Sequence, residues 1–241
     1  VAGRALHMSA AARPLLYTYR RCPYAMRARM ALLAAGVEFD AFDIVLRDKP
    51  QALREISPKA TVPVLLLPTA RVLEQSWDIV QWALTQDAAP ASCQDAWRRA
   101  QTPANQALLG INDGVFKQHL DRYKYPERFA GSGDVTASAD VRAHHRQQGL
   151  QVLLHPLEER LRAAPFLGGE TPCATDWGIF PFVRQWAAVD AAWWQSADLP
   201  HLRAWLADWV ASALFAACMV KLPSQQRVPM PRWDAGPISA G

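Results

Sequence analysis

Residues 16–36 read LYTYRRCPYAMRARMALLAAG, and this stretch decides the fold. An apolar, aromatic run ends at Arg20 and Arg21, a cysteine follows, and Cys22-Pro23 opens a segment of good helix formers. Proline suits the first helical position, where its missing N–H would be unpaired anyway, so Cys22 falls at the N-cap. There the helix dipole, the unpaired N–H groups and the two arginines favour thiolate, and a pKa lowered from about 8.5 to below about 7.5 is expected. The ordinary alternative is a small apolar side chain filling a helix start. A redox Cys-x-x-Cys pair would need a second thiol at position 25, where the chain has Ala25. Any chemistry at Cys22 is therefore that of a single thiol.

Outward from this stretch, short strand-like runs alternate with helices. LLYTY (15–19) and VEFDAFDIV (37–45) flank the first helix, QALREI (51–56) is a short helix, and VPVLLL (62–67) and RVLE (71–74) form a hairpin through Pro68-Thr69-Ala70. WDIVQWAL (77–84) closes the unit with helical periodicity. The order is βαβαββα over 14–84. TQDAAPASC (85–93) is small, polar and proline-containing, which suits a linker over 85–94. Residues 95–222 carry apolar side chains at spacings of three and four and no convincing strand, so this half is an all-helical domain. PERFAGSGDVTASAD (126–140) reads as a loop between its first long helices. The Pro-rich tail, 223–241, is expected to lack regular structure.

Composition bounds the function. With 51% hydrophobic residues the chain folds by burial, and its net charge of +4 comes from scattered arginines without the sustained basic run that tracks nucleic acid. No stretch approaches the roughly 20 apolar residues of a membrane span, and the N-terminus lacks a signal-peptide core, so a cytoplasmic protein is expected. Met8 reads as a natural start, with residues 1–7 as an addition. The four cysteines, Cys22, Cys93, Cys173 and Cys218, have neither zinc spacing nor disulfide density, and no metal is expected.

A strand followed by Cys-Pro-Tyr-Ala at a helix start resembles the N-terminal domain of cysteine-type glutathione transferases, most nearly the omega class, itself similar to glutaredoxins. SPKATVPVLLL (57–67) resembles the segment in which the residue before a cis-proline, here Val62 before Pro63, pairs its backbone with the cysteinyl part of glutathione. EQSWDIVQWAL (74–84) resembles the segment that holds the γ-glutamyl group, and CATDWGIFPFVRQW (173–186) the capping box and buried helix of the second domain. The resemblance implies a thioredoxin-like domain followed by a helical bundle, in a homodimer. It implies glutathione as co-substrate, bound by Tyr24, Lys59, Val62, Pro63, Gln75 and Ser76. Lys59 would face the glycyl carboxylate and Ser76 the γ-glutamyl carboxylate. Gln75 stands where many relatives carry Glu, with Glu74 beside it. Asp176 would be a structural N-cap, although Cys173 replaces the usual Ser or Thr. Taken singly, Lys59 reads equally well as a solvated lysine, Ser76 as an N-cap and Val62-Pro63 as a strand entry. Their order with Cys22 favours the functional reading.

A cysteine at this place implies thiol transfer or reduction through a Cys22–glutathione mixed disulfide. Two other readings stay open: conjugation of hydrophobic electrophiles, assisted by Tyr17, Tyr19 or Cys22, and a non-catalytic binding module. The second substrate is expected in the cleft between the domains, lined by the first helix of the second; Phe116, Tyr123 and Trp186 are candidates for that lining, but an aromatic side chain at helical spacing is more often core than pocket, and they are not assigned to the site.

Overall fold

The computed structural model describes residues 13–129 and 135–233. The expectations for Met8 and for the last residues of the tail lie outside these. The N-terminal unit runs β1 (Leu15–Thr18), α1 (Pro23–Ala34), β2 (Asp40–Asp43), α2 (Gln51–Ile56), β3 (Val64–Leu66), β4 (Val72–Leu73) and α3 (Ser76–Leu84). β1 pairs parallel with β2, and β3 lies antiparallel to both β1 and β4.

Alternation along the strands builds two apolar layers. Leu16 and Leu65, directly opposite each other in the sheet, face the large core beneath α1 and α3; Leu15, Tyr17 and Val64 face a smaller cluster closed by Leu53 of α2. Helix α1 is buried on nearly every side, Arg27 and Arg29 included. Arg29 satisfies its guanidinium on Thr18 Oγ1 (2.5 Å) and on the carbonyls of Arg20 (2.8 Å) and Cys218 (3.0 Å), and so ties the β1–α1 turn to the far end of the chain.

The helical half comprises α4 (Ala91–Ala100), α5 (Pro103–Ile111), α6 (Lys117–Lys124), α7 (Val135–Gly149), α8 (His155–Ala163), α9 (Ala174–Ala187), α10 (Ala191–Ser196), α11 (Pro200–Ala211) and α12 (Ala213–Cys218). A π-helical turn, Asn112–Phe116, joins α5 to α6, and a second, Leu150–Leu154, joins α7 to α8. Helix α9 packs so closely on α5 and on α3 of the N-terminal unit that a Cβ on Gly178 would meet Leu109 Cδ2 at 2.7 Å and Trp77 Cζ3 at 3.0 Å.

Three expectations need correction. Helix α4 begins at Ala91, inside the segment read as linker, because Pro90 takes an extended backbone and hands over to a helix directly. Helix α7 begins at Val135, well before the expected loop ends; only a single turn, Pro126–Arg128, precedes it among the described residues. The tail is not structureless: β5 (Arg227–Pro229) pairs antiparallel with β2, giving the sheet order β4-β3-β1-β2-β5. β5 covers the edge of β2, and Arg227 Nε donates to Asp40 Oδ2 at 2.7 Å.

Candidate active site

Cys22 occupies the N-cap of α1 with an extended backbone, as the Cys-Pro order requires. Its thiol makes no cap bond. It donates instead to the carbonyl oxygen of Val62, 3.6 Å away, and Val62-Pro63 is a cis peptide at the entry to β3. The expected lowering of the Cys22 pKa is corrected: burial pushes it up, against the backbone N–H groups of Ala25 and Tyr24 and the charges of Arg29 and Lys117, which pull it down. A bond donated by S–H also favours the neutral form. Arg20 and Arg21 are not among the charges acting on the sulfur. Sequence neighbours of a helix N-cap need not point at its side chain.

The three other cysteines are buried. Burial raises Cys93 and Cys173 to about 11 and raises Cys218 as well, so none of them competes with Cys22 as an accessible thiol. Asp176 takes the structural place expected of it. Its oxygens accept from the backbone N–H groups of Cys173 (2.9 Å), Leu167 (2.8 Å) and Gly168 (3.2 Å), and from Trp205 Nε1 (2.9 Å).

A cavity of about 540 Å³ opens beside Val62 and Pro63. Tyr24, Val62, Pro63, Gln75 and Ser76, all expected at the site, line it together with Glu74. Lys59 does not. It is exposed on the turn after α2, whereas Lys49, on the segment between β2 and α2, lines the cavity. The resemblance assigned this place to Lys59; two lysines ten positions apart flank one short helix, and the fold brings Lys49 rather than Lys59 to the lining.

Two further residues escaped the sequence reading. Arg27 is 2% exposed, and its Nε donates to Ser76 Oγ at 2.9 Å. Its two terminal nitrogens grip both carboxylate oxygens of Asp113, at 2.9 and 2.6 Å. The guanidinium also lies 5.0 Å from the ring centre of Tyr24, 5.4 Å from that of Phe182 and 5.7 Å from that of Trp77. Asp113 belongs to the π-helical turn after α5, so this pair joins the two halves at the cavity wall. Ser76, 5% exposed, thus has its oxygen engaged as acceptor and its proton left to donate, at the first residue of α3. The helix terminus, Arg27 and Lys49 supply positive potential; Asp113 and Glu74 supply acceptors, with Glu74 steadied by Ser57 Oγ at 2.6 Å. A zwitterion with well-separated charges fits such a lining.

Phe116, Tyr123 and Trp186 are not cleft residues. All three are fully buried, with Phe116 stacked on Trp186 at a ring separation of 5.0 Å and Tyr123 tilted against it at 4.5 Å, because helices α6 and α9 need a filled seam. Tyr17 sits in the smaller apolar layer, where burial raises its phenol pKa. Among the described residues no group of three or more His, Cys, Asp or Glu is placed to hold a metal ion, and no helix is long and apolar enough to cross a membrane.

Known proteins resemble this chain in sequence and in fold. Residues 16–91 match the family model of the glutathione S-transferase N-terminal domain, and residues 139–208 that of the C-terminal domain. The chain is 24% identical over 197 residues to glutathione S-transferase omega-1 of Mus musculus, covering 80% of this chain and 74% of that protein. It is 28% identical over 103 residues to a probable glutathione transferase of Aplysia californica, covering 43% of this chain and 100% of that one. Similar solved structures include the tau class glutathione S-transferase of mango, Mangifera indica (TM-score 0.69, 19% identity, 88% of this chain and 94% of that one). A glutathione transferase family member of Pseudomonas fluorescens with two glutathione bound is another (TM-score 0.68, 16% identity, 86% and 92%). The thioredoxin-like sheet followed by a helical domain is their common fold, and by its two matched domains the chain belongs to the glutathione transferase superfamily.

Proposed function

We propose that this protein is a glutathione-dependent thiol transferase whose Cys22 carries the glutathionyl group. The observation that carries the reading is Cys22 Sγ against the carbonyl of Val62, a residue that lines a cavity suited to a zwitterion, in a chain whose other cysteines are buried. Glutathione would lie with its γ-glutamyl carboxylate toward Ser76 and the start of α3, its ammonium toward Glu74, Gln75 and Asp113, and its glycyl carboxylate toward Lys49. The solved relative with glutathione bound supports glutathione as the occupant.

The Cys22 thiolate attacks the glutathionyl sulfur of a mixed disulfide RS–SG, forming Cys22–S–SG and releasing RS⁻. A glutathione thiolate then attacks the glutathionyl sulfur, releasing oxidised glutathione and restoring the Cys22 thiolate. Val62 acts in both states. Its carbonyl accepts the resting thiol, and by family resemblance the same backbone pairs with the cysteinyl unit of glutathione. Binding then trades one donor for another and frees the sulfur to ionise. Conjugation assisted by Tyr17 loses support, since that phenol is held in the apolar layer under α2. A homodimer, as the resemblance implies, in the cytoplasm, as the sequence reading expects, completes the proposal.

The test compares parent and Cys22→Ala with a small glutathione mixed disulfide and with an aromatic halide. The reading predicts loss of disulfide turnover in the variant by at least about a hundredfold; retention of that turnover overturns it.

A further inference from the structure

A second cavity, of about 480 Å³, adjoins the same helix start. Arg20 and Arg21 of the β1–α1 turn line it with Lys124 and Tyr125 at the end of α6, Arg142 of α7, and Arg184 and Gln185 of α9. Five cations thus face one space in a chain whose whole net charge is +4, and no carboxylate lines that space. Among the described residues none of the five belongs to an ion pair. Asp43 accepts the backbone N–H of Arg20 at 3.0 Å and stands outside the lining. Arg184 is half-buried, and its pKa is lowered chiefly by burial, with Cys218 opposing the shift and the charge of Arg20 adding to it.

The contrast with the first cavity is one of charge type. There Arg27 is neutralised by Asp113, and Lys49 is matched by Glu74, so a zwitterion is served; here positive charge stands unopposed. Ala188, Val189, Met219 and the Tyr125 ring supply apolar surface between the cations. The Tyr125 ring is itself approached by Arg128 at 4.0 Å and Lys124 at 4.9 Å. Cys22 lines neither space itself: its hydrogen-bond partner Val62 and its neighbour Tyr24 line the zwitterion cavity, and Arg20 and Arg21, the two residues before it in the chain, line the cationic one.

We propose that this cavity takes the second substrate and selects an organic anion, the carboxylate- or sulfonate-bearing half of a glutathione mixed disulfide. The assignment rests on the thiol-transfer reading. When Cys22–S⁻ attacks the glutathionyl sulfur, the S–S bond breaks and its electron pair leaves on R–S⁻, while the carboxylate or sulfonate of the departing half lies in the cationic lining. Cations there hold the anionic group of the departing half and so favour the anionic disulfide in binding.

Binding and chemistry are tested separately. Isothermal titration compares two unreactive thioethers, S-(3-sulfopropyl)glutathione and S-propylglutathione, which differ only in the anionic tip. The parent is expected to bind the sulfonate about tenfold more tightly, and 1 M salt to shrink that ratio toward one. Arg21→Gln/Arg142→Gln, two exposed positions whose replacement the fold tolerates, is expected to narrow it as well. Equal affinity for the two thioethers in the parent, or a ratio the double variant leaves intact, overturns the anion assignment whatever Cys22 does. Turnover of the glutathione mixed disulfides of mercaptoethanesulfonate and mercaptoethanol then tests the chemistry. Faster turnover of the sulfonate supports the proposal; a thioether preference without any turnover sinks the thiol-transfer reading and leaves the cavity an anion site.

Discussion

Arg27 and Asp113 face each other across the seam between the two halves of the chain, joined by two parallel hydrogen bonds of 2.9 and 2.6 Å. Arg27 is 2% exposed on its side of the pair and Asp113 36% on the other. The pair therefore serves both stability and the cavity, because the same guanidinium holds Ser76 Oγ. Removing the carboxylate leaves a buried cation unpaired. Asp113→Ala is expected to cost about 2 kcal/mol, below the range for fully buried pairs because Asp113 reaches water. Chemical denaturation checks the stability, and a several-fold rise in KM for glutathione checks the link to Ser76. Unchanged values for both would show the pair to be incidental.

The sulfur of Cys22 is held as a thiol by burial and by the Val62 carbonyl. A pKa above the ordinary cysteine value means less thiolate at any given pH. Alkylation of the free enzyme by iodoacetamide, mapped to Cys22, should therefore be slow at pH 7 and still rising through pH 9. Bound S-methylglutathione, which competes for the Val62 backbone, should shift the profile to lower pH. A plateau below pH 8 in the free enzyme would show that the helix dipole outweighs burial.

Lys49 and Lys59 separate the two assignments of the glycyl carboxylate. Lys49→Ala should raise KM for glutathione by about tenfold with kcat little changed, since a ground-state contact is lost. Lys59→Ala should leave both constants as they are.

Asp176 anchors four N–H donors in the second domain. Asp176→Ala strands them in a dry interior and should lower stability by about 3 kcal/mol, with Asp176→Asn costing less. Thermal unfolding checks both, and a shift in glutathione affinity at a temperature where the variant is folded would show a role beyond structure.

Much of this was legible in the chain itself. The run from Leu15 to Leu84 carries alternation, a Cys-Pro helix start and a hairpin signal that local chemistry dictates, and α2 falls on the very residues QALREI. Asp176 was readable because a capping box is a local pattern. What escaped was set by distant partners. β5 has three residues and no signal of its own; it exists because β2, nearly two hundred residues earlier, offers an open edge. Arg27 looks like surface charge on a helix until α3 and the turn after α5 supply Ser76 and Asp113. The Cys22 pKa depends on how far the sulfur is buried, which no spacing reveals.

The central claim is that Cys22 carries the glutathionyl group through the reaction. Rapid quenching of the parent with a glutathione mixed disulfide, at equimolar amounts and before free glutathione is added, followed by peptide mass mapping, tests it most directly. The account predicts one glutathionyl group per chain, located on Cys22, and its discharge as oxidised glutathione when glutathione is added. An unmodified Cys22 in an enzyme that still turns the disulfide over would contradict it.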